Sequence, residues 1–267
     1  MMNIFFKSII FILIFSSQSL YSNGKTHELN IFAEDIPPFV YGKRDFIPRG
    51  IGVEIVRYVA KQLNHSGEME ILSWNRAYKW TRDKSNNVLF PMSRTKAREN
   101  LFKWVGPLFK STSYFYKRKG NPMEVNSLED AKNVLAISVV RNYASHQYLV
   151  DNDFKNLVDI GHTGGVIRSM VFNRASLISA GDIFLRFRAK QAGVDYRLIK
   201  NTGVKLLEQT QYVAFSKSTP DSVIQQWQNI FNKIKQNGVY DKIFQRELKK
   251  AIEFFDKEDA TKGAFFN

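Results

Sequence analysis

The sequence predicts an α/β protein of two lobes, and three observations carry that prediction. Segments with strand periodicity alternate with segments of helical periodicity along most of the 267 residues, the alternation falls into two blocks, and a closing pair of helices follows one last strand. At roughly 150 residues per domain, the length allows about two domains with real cores. Hydrophobic residues make up 44% and aromatics 14%, with 22 Phe, which is too rich in core formers for a disordered chain.

The elements follow in order. Residues 28–33 alternate as a strand, and Pro37 and Pro38 then force a loop because neither can continue a ladder. Val53, Val56, Val59, Ala60 and Leu63 share a helical face, with Gly67 beyond as a stop. A short strand at 70–72, a helix at 76–82 and a strand at 88–92 come next, and Thr95 would cap a short helix over 97–102. The second block gives a strand at 134–140, helices at 144–150 and 165–173, a strand at 176–179, a helix at 183–191 and a strand at 196–199. After a strand at 211–215, Thr219 would cap a helix with Pro220 at its first position and Trp227, Phe231 and Ile234 on its apolar face. Asn237-Gly238 ends it, and a second helix turns Tyr240, Ile243, Phe244 and Leu248 inward. Extended crossovers near 111–115 and 209–212 would join the lobes and leave a cleft suited to a small molecule. The expected division is a signal peptide at 1–22, a first lobe from 23–112 and 211–255, a second lobe at 113–210, and a polar tail at 256–267.

Composition removes several chemistries. The chain has no Cys, which rules out disulfides, thiolate metal sites, Cys nucleophiles and a lipidated N-terminal Cys. The four His, at 27, 65, 146 and 162, have no second His at i+3 or i+4, so no metal or other cofactor is expected. Lys7, an apolar run over 8–15 and a small polar stretch over 16–22 spell an export signal. That run is too short for a membrane span, which needs roughly 20 apolar residues, so the mature protein is expected in the periplasm. The charge is 39 − 25 = +14, but the basic residues are dispersed. Export and dispersal together argue against a nucleic-acid partner.

Several motifs in order resemble one family. They are Pro38-Phe39 after the first strand, Ser93-Arg94-Thr95-Lys96-Ala97-Arg98-Glu99 after the fourth, Trp104-Val105-Gly106-Pro107, Gly181-Asp182 after a strand of the second block, and Asn237-Gly238-Val239-Tyr240-Asp241-Lys242-Ile243 near the end. With the exported start, they are similar to the type II periplasmic solute-binding proteins of the polar amino-acid importer branch. The resemblance implies a two-lobed clamp with hinge crossovers that captures a small carboxylate-bearing solute, an amino acid above all, and delivers it unaltered as a monomer to an ABC permease.

It also implies site residues. Arg98 matches the arginine that grips the ligand carboxylate, with Ser93 and Thr95 adding donors. A guanidinium suits that task because it pairs with a carboxylate through two parallel charge-assisted bonds. A cation in the first turn of a helix capped by Thr95 would also be relieved by an arriving anion. Asp182 matches the ammonium-binding carboxylate, although an Asp at a helix start is equally a cap. Phe39, Trp74 and Phe90 fall where the family places pocket walls, and strand-end aromatics are also common in cores. Asn142 and Tyr143 occupy a turn that offers backbone N–H groups in the family, but Arg141-Asn142-Tyr143 replaces its small Gly-Thr pattern.

Two rivals remain. A ligand-sensing subunit for a membrane receptor would use the same clamp. A cyclohexadienyl-dehydratase-like enzyme would need a cleft acid, for which Glu99 is the candidate. Ser93 and Lys96 also spell Ser-x-x-Lys, but no Lys-Thr-Gly or Ser-Asp-Asn accompanies it.

Overall fold

A computed structural model describes residues 28–42 and 47–263, with side chains through Asp256. The export signal expected at 1–22 lies outside the described residues. The chain begins with β1 (Asn30–Glu34), α1 (Ile51–Gln62), β2 (Met69–Leu72), α2 (Trp74–Asp83) and β3 (Asn87–Ser93). A long strand, β4 (Phe102–Arg118), leads into α3 (Leu128–Lys132), β5 (Ile137–Val140), α4 (Ala144–Asp151), β6 (Leu157–Ile160), α5 (Thr163–Val171), β7 (Leu177–Gly181) and α6 (Asp182–Gln191). A second long strand, β8 (Ile199–Ser216), returns to place α7 (Asp221–Gln236) and α8 (Val239–Gly263) against the first elements.

The strands form a sheet of order β2-β1-β3-β8-β4-β7-β5-β6. β1 runs parallel to β2 and β3, and β5 parallel to β6 and β7, so each end is an α/β unit in its own right. The antiparallel pair β4 and β8 connects the two ends from Phe102 opposite Ser216 to Arg118 opposite Ile199. The crossovers expected at 111–115 and 209–212 are interior stretches of these two strands, where Ser111 faces Gln209.

Side chains alternate into two layers because both faces of the sheet are covered. In the first lobe Ile31 and Ala33 pack with Val56, Trp227 and Phe231, while Phe32 faces the other way onto Leu72, Ala77 and Phe102. In the second lobe Ile137, Leu177 and Phe115 share one core, and Val140, Ile178 and Tyr116 share the other. This two-lobed α/β arrangement is the fold the sequence predicts.

Some local expectations fail. Residues 96–101 form turns rather than a helix, with Arg98 N bonded to Thr95 O at 3.0 Å and Leu101 N to Arg98 O at 3.0 Å. Thr95 therefore caps nothing, and its hydroxyl is buried without a partner. Thr219 does not cap α7 either, since Pro220 occupies that position and the Thr219 hydroxyl makes no bond. Residues 196–198 are a 3-10 turn, because the Asp195 carboxylate accepts the Arg197 N–H at 2.9 Å and closes the chain on itself. The final helix continues past Phe255 to Gly263, where a polar tail was expected. Its side chains at 255 and 256 reach the second lobe: the Phe255 ring meets Phe187 edge-on at 5.7 Å, and Lys190 donates to Asp256 at 2.8 Å.

Gly50 fixes the entry to α1. Its φ is +119°, and an added Cβ would stand 2.6 Å from Phe39 O and 2.7 Å from Pro38 O. Gly50→Ala is expected to cost about 2 kcal/mol of stability, a fall in melting temperature on the order of 4–8 °C for a chain of this size. Thermal unfolding followed by circular dichroism checks it.

Candidate functional site

The lobes meet across a cleft with an outer chamber of about 570 Å³ and an inner cavity of about 70 Å³, which share Glu34, Trp74 and Thr163. At 10–15 Å³ per ordered water, the inner cavity holds on the order of five waters, the scale of a small solute. The charged side chains lining it, among the described residues, are Arg98, Arg188 and Glu34.

Arg98 comes from the turn between β3 and β4 and is 1% exposed. Its guanidinium lies 5.1 Å from the Trp74 ring and 5.4 Å from the Tyr78 ring, a packing that a planar cation favours. Nη1 donates to Ser93 O at 3.1 Å and Nη2 to Asn142 O at 2.8 Å, whereas Nε is buried with no partner. No carboxylate among the described residues forms an ion pair with it. Burial pulls its pKa down to about 10, and Tyr78 and Glu34 work against that shift. At neutral pH the group is therefore still a cation, deeply buried and lacking an anion, which is costly unless a charge arrives.

The second lobe supplies the facing wall. Asn142 sits at φ +64° between β5 and α4, a left-handed corner that Asn tolerates. The corner aims its carbonyl at the first lobe, where it accepts from Arg98 and from Trp74 Nε1 at 3.2 Å. Its N–H is spent on His146 Nδ1 at 3.3 Å. The turn expected to offer N–H groups thus presents an acceptor instead. Tyr143 stacks edge-on against Trp74 at 5.5 Å and donates its hydroxyl to Glu34 Oε1 across the cleft. Burial first, and the Glu34 charge second, push the Tyr143 pKa up, so it stays a neutral donor.

Arg188 projects from the buried face of α6 beside Phe184. It is 7% exposed, donates from Nη1 to Thr163 Oγ1 at 2.7 Å, and keeps Nε without a partner. The hinge strands add neutral polar groups. Ser93 Oγ donates to Gln209 Oε1 at 2.6 Å, Gln209 Nε2 donates to Ser113 Oγ at 2.7 Å, and Gln211 Nε2 donates to Ser93 Oγ at 2.9 Å.

Of the residues expected from the sequence, Arg98, Ser93, Trp74 and Tyr143 line the inner cavity, and the other four do not. Asp182, the first residue of α6, is exposed and its Oδ1 accepts from Thr112 N at 3.2 Å and Ile183 N at 2.8 Å, so it ties the helix start to the hinge strand. Phe39 stacks on Phe109 at 3.5 Å inside the first-lobe core, and Phe90 is buried beside Gly52 in the same core. Thr95 is left out because the turn replaces the expected helix. Sequence reasoning missed Arg188, although a charge four residues after Phe184 on an apolar helix face was a visible signal. It also missed Glu34 at the end of β1, and Gln209 and Gln211 on β8. Glu99, the candidate acid, lies outside the cavity. Arg94 donates to it at 2.7 and 2.5 Å and holds its carboxyl below the usual range. No group of three or more metal-ligating side chains occurs among the described residues, and no helix there is long and apolar enough to cross a membrane.

Solved structures resemble the chain at low identity. A histidine kinase sensor domain with similarity to periplasmic binding proteins matches with a TM-score of 0.74 and 16% identity, covering 83% of this chain and 96% of the other. The amino acid ABC transporter substrate-binding protein AbpA from Streptococcus pneumoniae, bound to L-arginine, gives 0.71 and 16%, covering 85% and 98%. The ancestral amino acid-binding protein AncCDT-1, a precursor of cyclohexadienyl dehydratase, gives 0.70 and 17%, covering 83% and 96%. At such identities the likeness establishes the fold. No curated protein matches in sequence. The model of the bacterial extracellular solute-binding proteins, family 3, matches residues 30–250, and the chain belongs to that family.

Proposed function

We propose that this protein captures a small carboxylate-bearing solute, an amino acid, between its lobes outside the cytoplasm, and delivers it to an ABC importer. One observation carries the reading: Arg98, buried between two rings at the cavity wall, has no anionic partner and an unused Nε. A ligand carboxylate would take Nε and Nη2 side by side, exchanging the Asn142 carbonyl for a charged acceptor. Glu34, the acid among the described residues that line the cavity, would receive an ammonium. Because both lobes contribute, contacts complete only in the shut form, and ligand shifts the population toward it.

A thermal-shift panel of the amino acids tests this. At 100 times its Kd a ligand adds about 2.7 kcal/mol, a rise on the order of 5–10 °C. No response to any member contradicts the reading.

The similarity to a sensor domain supports a second reading, in which the shut form is presented to a membrane receptor. A pull-down of the loaded protein with its neighbouring membrane proteins separates permease from receptor. For a dehydratase the acid named from sequence, Glu99, is ionised and outside the cavity, and an assay for prephenate turnover separates that reading from capture.

A further inference from the structure

We propose that the captured solute is an acidic amino acid, held by Arg98 of the first lobe at its α-carboxylate and by Arg188 of the second lobe at its side-chain carboxylate. This deepens the reading above and rests on it.

The two guanidiniums line one small cavity, Arg98 from the first lobe and Arg188 from the second, and each residue is more than nine-tenths buried. Neither forms an ion pair among the described residues, and each retains a buried Nε with no acceptor. Arg188 is not explained by packing alone. Its charge stands 5.4 Å from the Phe184 ring and 5.9 Å from the Tyr143 ring, and its one described hydrogen bond goes to a neutral hydroxyl. An apolar side chain would fill that place on α6 at less cost.

Charge counting then selects the ligand. The described lining carries two cations, Arg98 and Arg188, against one anion, Glu34, so positive charge predominates there. A neutral zwitterion, such as glutamine, would satisfy Arg98 and Glu34 but leave Arg188 buried and unpaired. A cationic amino acid would bring a further positive charge beside Arg188. An acidic amino acid carries net −1 and neutralises the set, its ammonium on Glu34. Asp182, the acid expected to serve the ammonium, is turned away to the hinge strand, and Ala180 and Gly181 line the cavity in its neighbourhood without charge. The second lobe therefore contributes a cation to the cavity where an anion was expected.

Calorimetric titration of the full mature protein with L-glutamate, L-aspartate, L-glutamine, L-asparagine and L-arginine tests the proposal, alongside Arg188→Met and Arg98→Met. The better acid is expected to bind at least about 30-fold more tightly than its own amide, and arginine not measurably. Arg188→Met is expected to bring acid and amide within about threefold of each other, and Arg98→Met to remove binding of both. An amide that binds wild-type protein as tightly as its acid overturns the acidic-ligand proposal. If that binding still depends on Arg98, the amino-acid reading stands. Absence of binding by all five ligands overturns the acidic-ligand proposal, and the full amino-acid panel then decides the broader reading. The wild-type ratio of acid to amide decides the matter even when Arg188→Met does not fold, and Arg188→Lys, which keeps the charge, is expected to keep most of the preference.

Discussion

Arg98→Met is expected to abolish amino-acid binding, with affinity falling by at least 100-fold. Removing one member of a buried charge pair typically costs about 3–5 kcal/mol, and each 1.4 kcal/mol is a factor of ten. Met fills much of the space between Trp74 and Tyr78, so the loss isolates the guanidinium rather than a cavity. Both Met and Ala remove the donors to the Ser93 and Asn142 carbonyls, but Arg98→Ala would also leave a hole between two rings, mixing stability with recognition. Arg98→Lys keeps the charge but cannot form two parallel bonds to a carboxylate, and it is expected to bind more weakly than the wild type. Titration calorimetry on the three variants checks the order. A Met variant with wild-type affinity would remove Arg98 from the site.

Tyr143→Phe is expected to weaken binding about 5- to 150-fold with little change in the melting temperature of ligand-free protein. The hydroxyl donates to Glu34 across the cleft, so this bond exists only when the lobes are shut. Its loss removes one donor from a buried carboxylate, at a cost of about 1–3 kcal/mol. A ligand-free protein that spends most of its time open does not make the bond and does not feel its removal. The ring contact with Trp74 at 5.5 Å survives in Phe, so packing is preserved. Equal losses in affinity and in ligand-free stability would show instead that the lobes stay shut without ligand.

The fold was largely legible because periodicity reports which faces are covered. Ile31, Phe32 and Ala33 alternate between two cores, and Trp227, Phe231 and Ile234 keep one stripe, both patterns that the residue order displays directly. The site was legible only in part. Arg98, Ser93, Trp74 and Tyr143 follow from the family resemblance that their motifs carry, yet a motif does not say where a side chain turns. Asp182 turns to the hinge backbone, and Phe39 and Phe90 turn into the core, because an aromatic at a strand end gains as much from burial as from a pocket. Glu34, Arg188 and Gln209 converge from segments up to 175 residues apart. Their meeting depends on how β4 and β8 carry one lobe over the other, which no local pattern encodes. The Asn142 corner is the instructive case. The sequence showed that a small turn had been replaced, and only the left-handed backbone at Asn142 reveals that a carbonyl now faces Arg98.

The central claim is that a solute carboxylate sits on Arg98 between shut lobes. A crystal structure with L-glutamate tests it most directly. The account predicts two carboxylate oxygens about 2.7–2.9 Å from the Arg98 guanidinium, with the Asn142 carbonyl displaced from Nη2. Glutamate found in the outer chamber, with Arg98 still bonded to Asn142, would contradict it.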